Sequence, residues 1–479
     1  MTHSKPVALI LAAGKGTRMR SALPKVLHLV AGRSMIERVL DTAMAAGLEH
    51  PHVVVGFGHE QVRARMDGAG WQVQWVHQID QRGTGDAVRA ARGHLGERAG
   101  TVVVLSGDVP LLTPASLTGF LAQHRSSGAA ASLVTVRVDD PAQYGRIVRE
   151  RPGGPLSRIV EARDADPVDK RIDEINAGLY AFDGPTLFRY VDRLGANNAK
   201  NEYYLTDVFG MMVADGVVVN PVAMAPAAEF LGINSRVELA QAEAVVRERK
   251  VRALMEAGVT VHDPRTTYVD DEVVVGADTV LFPGVSLYGK TVVGERCEVR
   301  SGTVVRDSVL HDGVVVRECS LLDQAVVGEA TQVGPFAHLR PGARLGRDVR
   351  VGNFVEVKNA TLGDRTKASH LSYLGDAALG ADVNIGAGTI TCNYDGFHKN
   401  RTVIGDGVFV GSDSILVAPV ELGDRSFVAA SSVVTRDVPA GALAIARERQ
   451  VNKEGYREIL ENKHADSCPI CKAGGGGKT

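Results

Sequence analysis

The stretch HLRPGARLGRDVRVGNFVEV, residues 338–357, decides the fold of the second half of this chain. It carries an aliphatic residue at every sixth position, at Leu339, Leu345, Val351 and Val357. A period of six is typical of a left-handed parallel β-helix of hexapeptide repeats, in which each aliphatic side chain points into a triangular prism. The small residue that often follows it lets the chain turn toward the next side of the prism.

The same period continues on both sides of this stretch and fills residues 258–454. The other aliphatic positions are Val275, Leu281, Leu287, Val293, Val299 and Val305, then Leu321, Val327 and Val333, and finally Ile404, Val410, Leu416, Leu422, Val428 and Val434. Where the phase of the repeat jumps, near residues 306–309, 358–362 and 391–404, we expect loops that bulge from the prism. Such loops commonly carry binding residues.

Residues 1–234 have a different pattern, in which short apolar runs alternate with helix-like segments. Val7–Ala13, Val53–Phe57 and Val102–Leu105 are apolar runs bounded by Gly, Pro or Asp. Apolar strands that alternate with helices predict a mainly parallel sheet covered on both faces. We therefore expect a Rossmann-like α/β domain here.

A linker helix is predicted between these two domains, over residues 235–257. Ser235 and Glu238 form the pattern of a capping box, and Gly258 is placed to end the helix in a left-handed conformation. The expected apolar stripe consists of Val237, Ala240, Ala244, Val251, Leu254 and Met255.

The tail, residues 455–479, loses the six-residue period, and we expect it to be disordered. It contains one Cys-x-x-Cys pair, Cys468 and Cys471, to which His464 could add a third zinc ligand. A single pair without a second one is weak evidence for zinc, so the disordered tail is the preferred interpretation.

Length and composition agree with a two-domain protein that acts on small molecules. The chain has 479 residues, 44% of them hydrophobic and 23% charged, with a formal net charge of -2. This charge gives no reason to expect nucleic acid as a partner. The polar N-terminus predicts no signal peptide, and the absence of a run of roughly 18 apolar residues predicts no membrane span. Five scattered cysteines suit reduced thiols in a cytoplasm.

The first apolar run leads directly into a glycine-rich turn, GKGTRM, residues 14–19. Such a turn after a first strand exposes backbone N–H groups that suit phosphate. Arg18 and Lys25 add the positive charge that a triphosphate requires. The turn is neither a dinucleotide fingerprint nor a Walker A loop, because the third glycine of the former and the closing Gly-Lys-Ser/Thr of the latter are missing.

With the motifs that follow it, this stretch resembles the signature of sugar-1-phosphate nucleotidyltransferases. The motifs are LAAGKGTRM (11–19), LPK (23–25), Gln78, QRGT (81–84), GDVP (107–110), YGRI (144–147), VE (160–161) and EIN (174–176). The resemblance implies that the nucleotide and its sugar bind Leu11, Ala12, Ala13, Gly14, Lys25, Gln78, Gly83, Thr84, Ser106, Gly107, Asp108, Gly145, Glu161, Asn176 and Asn234.

The chemistry expected at this first site is transfer of a nucleotidyl group. Asp108 follows an apolar strand, at the edge where α/β sheets bind ligands. The resemblance assigns Asp108 and Asn234 to Mg²⁺, which prefers hard oxygen ligands. Arg18 and Lys25 would be catalytic through their charge, because in-line attack on the α-phosphorus of UTP needs no protein nucleophile. An amide such as Gln78 can both donate and accept, which matches the uracil edge.

The β-helix carries a second series of motifs, and this series resembles the acetyltransferase half of the bifunctional GlmU family. The motifs are RPG (340–342), NFVEVK (353–358), HLSYLGD (370–376), NIGAG (384–388) and TCNYDG (391–396). Both halves together resemble that family over about residues 6–455. The resemblance implies acetyl transfer from acetyl-CoA to glucosamine-1-phosphate, followed by uridylyl transfer from UTP to N-acetylglucosamine-1-phosphate with release of pyrophosphate.

His370 is the predicted base of acetyl transfer, because histidine titrates near neutral pH and an ammonium group cannot attack a thioester. The expected ligands of glucosamine-1-phosphate are Arg340, Lys358, Tyr373, Asn384 and Lys399. The resemblance places acetyl-CoA against Ala387, Asn393, Tyr394, Ser412, Ala430 and Arg447. We interpret Cys392 as a structural thiol and prefer direct transfer to an acyl-enzyme. The resemblance also implies a homotrimer.

Two other interpretations remain open at this stage. The chain could be a sugar-1-phosphate nucleotidyltransferase whose β-helix serves only to form oligomers. The grouping of His370 and Tyr373 with Asn393 and Tyr394 disfavours it, because a structural prism has no need of these residues. The chain could also be a regulatory subunit without catalysis. That interpretation predicts loss of Arg18, Lys25 or Asp108, and all three are present.

Overall fold

The computed structural model of the protein describes residues 5–95, 100–141 and 143–464. The chain divides into two compact units, Met1–Val292 with Val304–Asp307, and Val293–Thr303 with Ser308–Thr479. The Cys468 and Cys471 pair lies outside the described residues, so the interpretation of that pair stays a prediction. The domain boundaries expected from the sequence also remain predictions.

The first unit contains a sheet with helices on both faces. The strands that precede the repeat region are β1 (Val7–Ala12), β2 (Leu29–Val30), β3 (Arg33–Ser34), β4 (His52–Val55), β5 (Gln74–His77), β6 (Thr101–Ser106), β7 (Ala131–Arg137), β8 (Arg146–Arg149), β9 (Leu156–Val160), β10 (Glu174–Asp183) and β11 (Val219–Ala223), of which β2 and β3 form a separate two-stranded sheet. Its helices are α1 (Met35–Ala45), α2 (His59–Gly68), α3 (Thr84–Ala90), α4 (Arg92–Leu95), α5 (Pro114–Ser127), α6 (Gly184–Val191), α7 (Asp207–Ala214) and α8 (Arg236–Glu256). Short 3₁₀ turns cover Thr17–Met19, Lys25–Leu27, Asp169–Arg171 and Ala227–Phe230.

The main sheet has the strand order β11-β7-β10-β6-β1-β4-β5, and most of its pairs are parallel. Strand β10 alone runs antiparallel to both of its neighbours, and it carries the β8–β9 hairpin at one end. Side chains of β1 alternate between two buried clusters, Ile10 in one and Leu9 in the other. The prediction of a mainly parallel sheet covered on both faces is confirmed.

Helix α8 has the predicted caps but buries a different stripe from the expected one. Ser235 and Glu238 form the capping box, and Gly258 follows the helix with φ +95°. The buried residues of α8 are Ala242, Val246, Val251 and Leu254. Val237 is 69% exposed, and Ala240, Ala244 and Met255 are exposed as well, so the assignment of these four residues to the inward-facing stripe is wrong. The helix turns a different face inward because Leu239, Ala242 and Val246 pack against the apolar side chains that surround β2 and α1.

The repeat region consists of short strands that follow one another along the prism. They are β12 (Thr260–Val261), β13 (Tyr268–Val269), β14 (Val274–Val275), β15 (Val280–Leu281), β16 (Ser286–Tyr288), β17 (Val292–Val293), β18 (Glu298–Val299), β19 (Val304–Arg306), β20 (Val309–Leu310), β21 (Val315–Val316), β22 (Leu321–Asp323), β23 (Val326–Val327), β24 (Gln332–Val333), β25 (His338–Leu339), β26 (Arg344–Leu345), β27 (Arg350–Asn353), β28 (Glu356–Lys358), β29 (Thr361–Leu362), β30 (Lys367–His370), β31 (Tyr373–Gly375), β32 (Ala377–Leu379), β33 (Asn384–Ile385), β34 (Ile390–Cys392), β35 (Thr402–Ile404), β36 (Phe409–Val410), β37 (Ile415–Val417), β38 (Val420–Leu422), β39 (Phe427–Val428), β40 (Val433–Val434) and β41 (Leu443–Ala444).

These strands pair in parallel and form the three sheets of a left-handed parallel β-helix. In the second unit, every third strand belongs to the same sheet, as in the series β18-β21-β24-β27-β30. In the first unit, β12 pairs with β15, and β13 pairs with β16. Buried hydroxyls reinforce this stacking: Thr331 Oγ1 donates to Gly346 O (2.8 Å), and Thr366 Oγ1 donates to Gly380 O (2.8 Å). The predicted fold class is confirmed.

The phase of the repeat changes because some sides of the prism use five residues instead of six. The buried side chains run from Val305 to Leu310 and from Val357 to Leu362 without an intervening loop. Of the three expected bulges, only the one near residues 391–404 is a loop, between β34 and β35. A five-residue side also explains why the assignment of Leu321 to the interior is wrong. Leu321 is 40% exposed, and Leu322 points inward instead.

The tail forms a helix in its first part. Residues Tyr456–His464 make helix α9, in which Arg457 Nε donates to Glu461 Oε1 (2.8 Å) one turn away. The expectation of disorder from residue 455 is therefore wrong over this helix, where i,i+4 pairing supports a segment that lacks the six-residue period. No helix in the described part of the chain combines the length and apolar character needed to cross a bilayer.

Candidate active sites

The predicted nucleotide residues of the first unit gather at the carboxyl ends of neighbouring strands. Leu11 and Ala12 end β1, and Ser106 ends β6 beside them, where Gly107 N donates to Leu11 O (2.9 Å). Gly83 and Thr84 open α3, and Asn234 lies just before α8. Parallel strands present their carboxyl ends at one edge, which is where such sheets bind ligands.

A lysine joins the two residues assigned to the metal. Lys25 Nζ forms an ion pair with Asp108 Oδ2 and donates to Asn234 Oδ1 (3.0 Å). The side chains of Lys25 and Asp108 are only 14% and 18% exposed. A carboxylate oxygen and an amide oxygen that converge on one cation form a hard-oxygen pair of the kind that Mg²⁺ prefers.

Asn234 is held in place by the start of α8. Glu238 Oε2 accepts hydrogen bonds from Asn234 N (2.5 Å) and Ser235 N (2.8 Å), and Ile233 N donates to Asp108 O (2.9 Å). Tyr144 also lies here, with its hydroxyl donating to Gly232 O (3.3 Å). Burial, and then the negative charges of Glu238 and Asp108, raise the pKa of Tyr144 to about 12. Tyr144 therefore stays a hydrogen-bond donor at neutral pH.

The QRGT segment depends on a glycine and fixes the amide of Gln78. A side chain at Gly83, where φ is +112°, would meet Tyr203 O at 2.6 Å. Gln78 Nε2 donates to Gly83 O (3.0 Å) and Asp86 Oδ2 (2.8 Å). Both amide hydrogens of Gln78 are engaged in this way, so its carbonyl oxygen is the group left for a base. The expectation that Gln78 both donates to and accepts from uracil does not fit this arrangement.

The predicted sugar residues form a second group beside the first. Asn176 N donates to Gly145 O (2.8 Å), and Asn176 Nδ2 donates to Tyr180 Oη (2.7 Å). Glu161 Oε1 accepts a hydrogen bond from Thr206 Oγ1 (2.9 Å), and burial raises the pKa of Glu161. Thr206 was missed at the sequence level, because α7 lies far from Glu161 along the chain and no motif marks it.

Arg18 is more exposed than Lys25 and Asp108. It lies exposed in the short 3₁₀ turn after the glycine-rich segment, and its charge acts on Tyr144. Gly14 lies just before this turn and is exposed. Both follow the carboxyl end of β1 closely along the chain.

In the second unit, His370 ends β30 and lies beside Asn353 of β27. The two residues are register partners, and His370 Nδ1 lies 2.7 Å from Asn353 Oδ1. The backbone of His370 is also held, since its carbonyl accepts a hydrogen bond from Ser372 Oγ (2.8 Å). The ring of His370 is exposed and can meet a ligand. Asn353 belongs to a quoted motif, but sequence reasoning gave it no role.

Cationic side chains crowd together around the corner from His370. Arg340 Nη1 pairs with Glu356 Oε1 (2.7 Å), and Glu356 is the register partner of Tyr373. Contact with Lys399, together with repulsion from Lys399 and Arg340, lowers the pKa of Lys358. Crowded cations of this kind are relieved by a bound anion.

Asp376 anchors the loop that carries Lys399. It accepts hydrogen bonds from Asn359 Nδ2 (2.6 Å) and from Asn393 Nδ2. Burial alone would raise its pKa, but these bonds and the charges of Lys399 and Lys358 hold the pKa of Asp376 below its ordinary value. In the same loop Tyr394 forms a β-bridge with Lys399. A cavity of about 340 Å³ opens beside this loop, lined by residues that include Asn359, Asp376 and Lys399.

Three of the residues predicted to bind acetyl-CoA, Ala387, Ser412 and Ala430, form a line along one edge of the prism. Ala368 pairs with Ile385, and the same register continues from coil to coil through Val410, Val428 and Ala444. In each coil, the residue two positions after the one just named lies on the same edge. We call these residues the His370 column; they are His370, Ala387, Ser412, Ala430 and Ala446. Backbone bonds hold the column, as from Ser431 N to Ser412 O (2.8 Å). Arg447 directly follows its last member, and Asn384 lies on the same sheet.

Among the described residues, no cluster of three or more His, Cys, Asp and Glu side chains is arranged to hold a metal. The Asp108 and Asn234 pair therefore offers only two protein ligands. This number fits Mg²⁺, which keeps several waters and takes further ligands from substrate phosphates.

Three family models match parts of the chain. They are the MobA-like NTP transferase domain over residues 8–257, the GMPPB C-terminal domain over residues 264–366, and the bacterial transferase hexapeptide (six repeats) over residues 401–436.

Relatives match nearly the whole chain. The bifunctional protein GlmU of Trichlorobacter lovleyi is 50% identical over 449 residues, which is 94% of this chain and 97% of the relative. The proteins of the same name from Pelobacter propionicus and Heliobacterium modesticaldum are each 48% identical. These two alignments cover 95% and 97% of this chain and 99% of each relative. Both halves of the chain are therefore matched in single proteins of the same organisation.

Proposed function

Since this chain belongs to the GlmU family of bifunctional enzymes, we propose that Lys25, Asp108 and Asn234 serve its uridylyl transfer and that His370 serves its acetyl transfer. The chain is a uridyltransferase and an acetyltransferase in the synthesis of UDP-N-acetylglucosamine. The assignment of residues to these activities rests on the two groups of side chains described above.

The convergence of Asp108 and Asn234 on one cation carries the proposal for the first site. In uridylyl transfer, a phosphate oxygen of N-acetylglucosamine-1-phosphate attacks the α-phosphorus of UTP, and pyrophosphate leaves in line with it. Asp108 and Asn234 would hold Mg²⁺, which supplies charge neutralisation to the reacting phosphates. Lys25, already within reach of both ligands, would bind phosphate oxygens, and Arg18 would add positive charge from the turn. No protein nucleophile is involved, so alignment and charge account for catalysis.

The nucleotide and the sugar would occupy the two groups at the strand edge. Backbone groups of Leu11, Ala12, Ala13 and Gly14 would approach the phosphates. The base would lie against Gln78, Gly83 and Thr84, and it would meet the carbonyl oxygen of Gln78. The sugar would contact Ser106, Gly107, Gly145, Glu161 and Asn176.

In acetyl transfer, His370 would take a proton from the 2-ammonium group of glucosamine-1-phosphate. The amine then attacks the thioester carbonyl of acetyl-CoA, so that a C–N bond forms and the C–S bond breaks. The proton that the new amide nitrogen loses goes to the departing sulfur, and CoA leaves as a thiol. The sugar phosphate would be bound by Arg340, Lys358, Tyr373, Asn384 and Lys399. Crowding of Lys399 against Lys358 supports this placement, because a phosphate between two ammonium groups offsets their repulsion.

Acetyl-CoA would lie along the His370 column. Ala387, Ser412 and Ala430 are small, so they leave room for an extended ligand at this edge of the prism. Asn393 and Tyr394 would contact the cofactor from the loop, and Arg447 would meet its phosphates near the last coil. Direct transfer is favoured over an acyl-enzyme because direct transfer needs only a base from the protein, and His370 would supply it.

We also propose that the enzyme is a cytoplasmic homotrimer. Exposed apolar side chains on the outer faces of the prism, such as Phe409 (44% exposed) and Phe427 (51% exposed), support association. Light scattering coupled to size-exclusion chromatography gives the mass directly, and a mass of one chain would contradict the trimer.

One assay tests the two activities together. The purified protein is supplied with glucosamine-1-phosphate, acetyl-CoA, UTP and Mg²⁺, and free CoA and pyrophosphate are followed separately. We expect release of both. If pyrophosphate appears but CoA never does, the β-helix serves only in assembly and the acetyltransferase assignment is wrong.

Thr206→Val is expected to weaken binding of the sugar substrate. The hydroxyl of Thr206 stabilises the Glu161 carboxylate, so its loss should raise the pKa of Glu161 further. The KM for N-acetylglucosamine-1-phosphate should rise about tenfold near neutral pH, with kcat nearly unchanged. Because the carboxylate forms as pH rises, the defect should shrink in more alkaline buffer. Pyrophosphate release at two pH values measures this.

Thr186→Val is the matched control, because the hydroxyl of Thr186 also bonds a carboxylate, that of Asp183, but at an exposed helix cap. This variant should keep the KM of the wild type. An unchanged KM in Thr206→Val itself would remove Glu161 from the sugar site.

Asp376→Ala is expected to impair acetyl transfer by freeing the loop that follows β34. Asn359 and Asn393 lose their shared acceptor, and the two lysines lose a nearby negative charge. The KM values for acetyl-CoA and glucosamine-1-phosphate should both rise, by about tenfold, while uridylyl transfer is unchanged. Free CoA is the readout.

Asp382→Ala removes a carboxylate from the same prism and serves as the control. Asp382 pairs with Arg365 at an exposed position, where an ion pair contributes little. Equal KM values in Asp376→Ala and the wild type would show that the loop needs no such anchor.

A further inference from the structure

We propose that Asn353 is a positioning residue of acetyl transfer: it fixes the tautomer and the orientation of the His370 ring. This inference rests on the proposed role of His370 as the base. It adds a residue to which neither the sequence motifs nor the likeness to relatives gave a function.

The contact between the two side chains determines which ring nitrogen carries the hydrogen. Asn353 Oδ1 faces His370 Nδ1 at 2.7 Å. A carbonyl oxygen only accepts, so Nδ1 must donate and carries the hydrogen of the neutral ring. Nε2 then keeps its lone pair. The base therefore presents its free nitrogen on the side of the ring opposite Asn353, ready for the proton of the sugar ammonium group.

The backbone of the prism brings these two residues together. Asn353 and His370 are register partners in adjacent coils, and Leu371 N donates to Asn353 O (3.0 Å). A side chain at Gly352 would collide with Ser369 O, so the coils can approach this closely only because residue 352 is a glycine. With Ser372 Oγ on the carbonyl of His370, main chain and side chain are fixed on both sides.

A neutral partner suits a base that must both take and release a proton. A carboxylate at residue 353 would stabilise the imidazolium form and make the ring slower to release its proton. The amide of Asn353 orients the ring without adding a charge. The charged side chains on the adjoining strands are Arg350 and Lys367 on the same sheet, with the Arg340–Glu356 pair, Lys358 and Lys399 beyond the corner. The variants below change none of them.

The test compares Asn353→Leu and Asn353→Asp over a range of pH, with CoA release as the readout. Asn353→Leu removes the acceptor, so the ring can adopt the other tautomer. Its kcat should fall about 10-fold to 100-fold at every pH, with the KM for glucosamine-1-phosphate unchanged. Asn353→Asp keeps an acceptor, so most of the plateau rate should return. Its half-plateau pH should rise by about one unit, because a carboxylate now stabilises the imidazolium.

A merely structural role for Asn353 would not move the pH profile in this way. Gln332→Leu is the matched control, because Gln332 is an amide on the same sheet whose Oε1 accepts from Arg317 Nη2 (3.3 Å). It should leave rate and profile unchanged. Pyrophosphate release by each variant shows that the protein is folded.

Two outcomes would overturn the inference: full CoA release by Asn353→Leu, or no rescue by Asn353→Asp at any pH. The His370→Ala variant tests separately whether His370 is the base of acetyl transfer. If that variant keeps acetyl transfer, the base itself has been misassigned. If it loses acetyl transfer while Asn353→Leu does not, only the positioning role is wrong.

Discussion

Asp108→Ala is expected to lower uridylyl transfer by on the order of a thousandfold or more while leaving acetyl transfer intact. Asp108 and Asn234 are the two proposed ligands of Mg²⁺, and only Asp108 carries a negative charge. Without Asp108, Asn234 would offer the metal a single neutral oxygen. In the proposed role, loss of Mg²⁺ would remove charge neutralisation where it contributes most to the transition state. Pyrophosphate release from supplied N-acetylglucosamine-1-phosphate, UTP and Mg²⁺ measures the effect.

A second measurement separates loss of the metal from loss of the fold. Asp108→Asn keeps the size of the side chain, so its rate should recover partly when Mg²⁺ is raised. CoA release should remain at the wild-type level in both variants, because the β-helix acts on its own substrates. Asp192→Ala is the control, since Asp192 pairs with Arg92 on the exposed surface of the same unit. Wild-type pyrophosphate release by Asp108→Ala would exclude Asp108 as a metal ligand.

His370→Ala is expected to lower acetyl transfer while leaving uridylyl transfer intact. Without a base, the amino group of the sugar stays protonated at neutral pH, so CoA release should fall about a hundredfold to ten-thousandfold. The remaining rate should rise with pH as free amine forms in solution. Pyrophosphate release from N-acetylglucosamine-1-phosphate should not change.

His311→Ala provides the comparison for this variant, because His311 is also an exposed histidine of the second unit and lies outside the predicted site. It should retain both activities. If His370→Ala released CoA at the wild-type rate, another group would have to accept the proton, and the role of Asn353 would lose its basis.

The sequence predicts the fold of both halves well, because each depends on a simple period. A side chain every six residues must point into the prism, and an apolar strand must lie between two layers. The period does not show how many residues each side of the prism uses. That is why Leu321 was assigned to the interior in place of Leu322, and why two of the three expected loops are five-residue sides.

The sequence predicts which residues belong to each candidate site, but it does not predict which of their side chains are in contact. Lys25, Asp108 and Asn234 are far apart along the chain, and only the folded sheet brings them to one point. Asn353 meets His370 because the intervening coil contains a five-residue side. The sequence shows the jump in phase there, but it does not show that the jump is a shortened side and not a loop. The hydrogen bonds of Gln78 likewise depend on the turn at Gly83. Because both amide hydrogens of Gln78 are used there, only its carbonyl oxygen is left for a base, whereas the sequence suggested that the amide would also donate.

The regular spacing of the His370 column has a consequence for the choice of cofactor. Neighbouring coils are one strand spacing apart, roughly 4.8 Å, so the four intervals of the column span roughly 19 Å. These intervals are set by backbone hydrogen bonds and cannot stretch to suit a ligand. In the proposed placement, a thioester held beside His370 would belong to a carrier that extends along the column toward the last coil. If acetyl-CoA lies along this column as proposed, the prism edge favours a long acyl donor, and a short thioester with the same acetyl group should be a poor substrate.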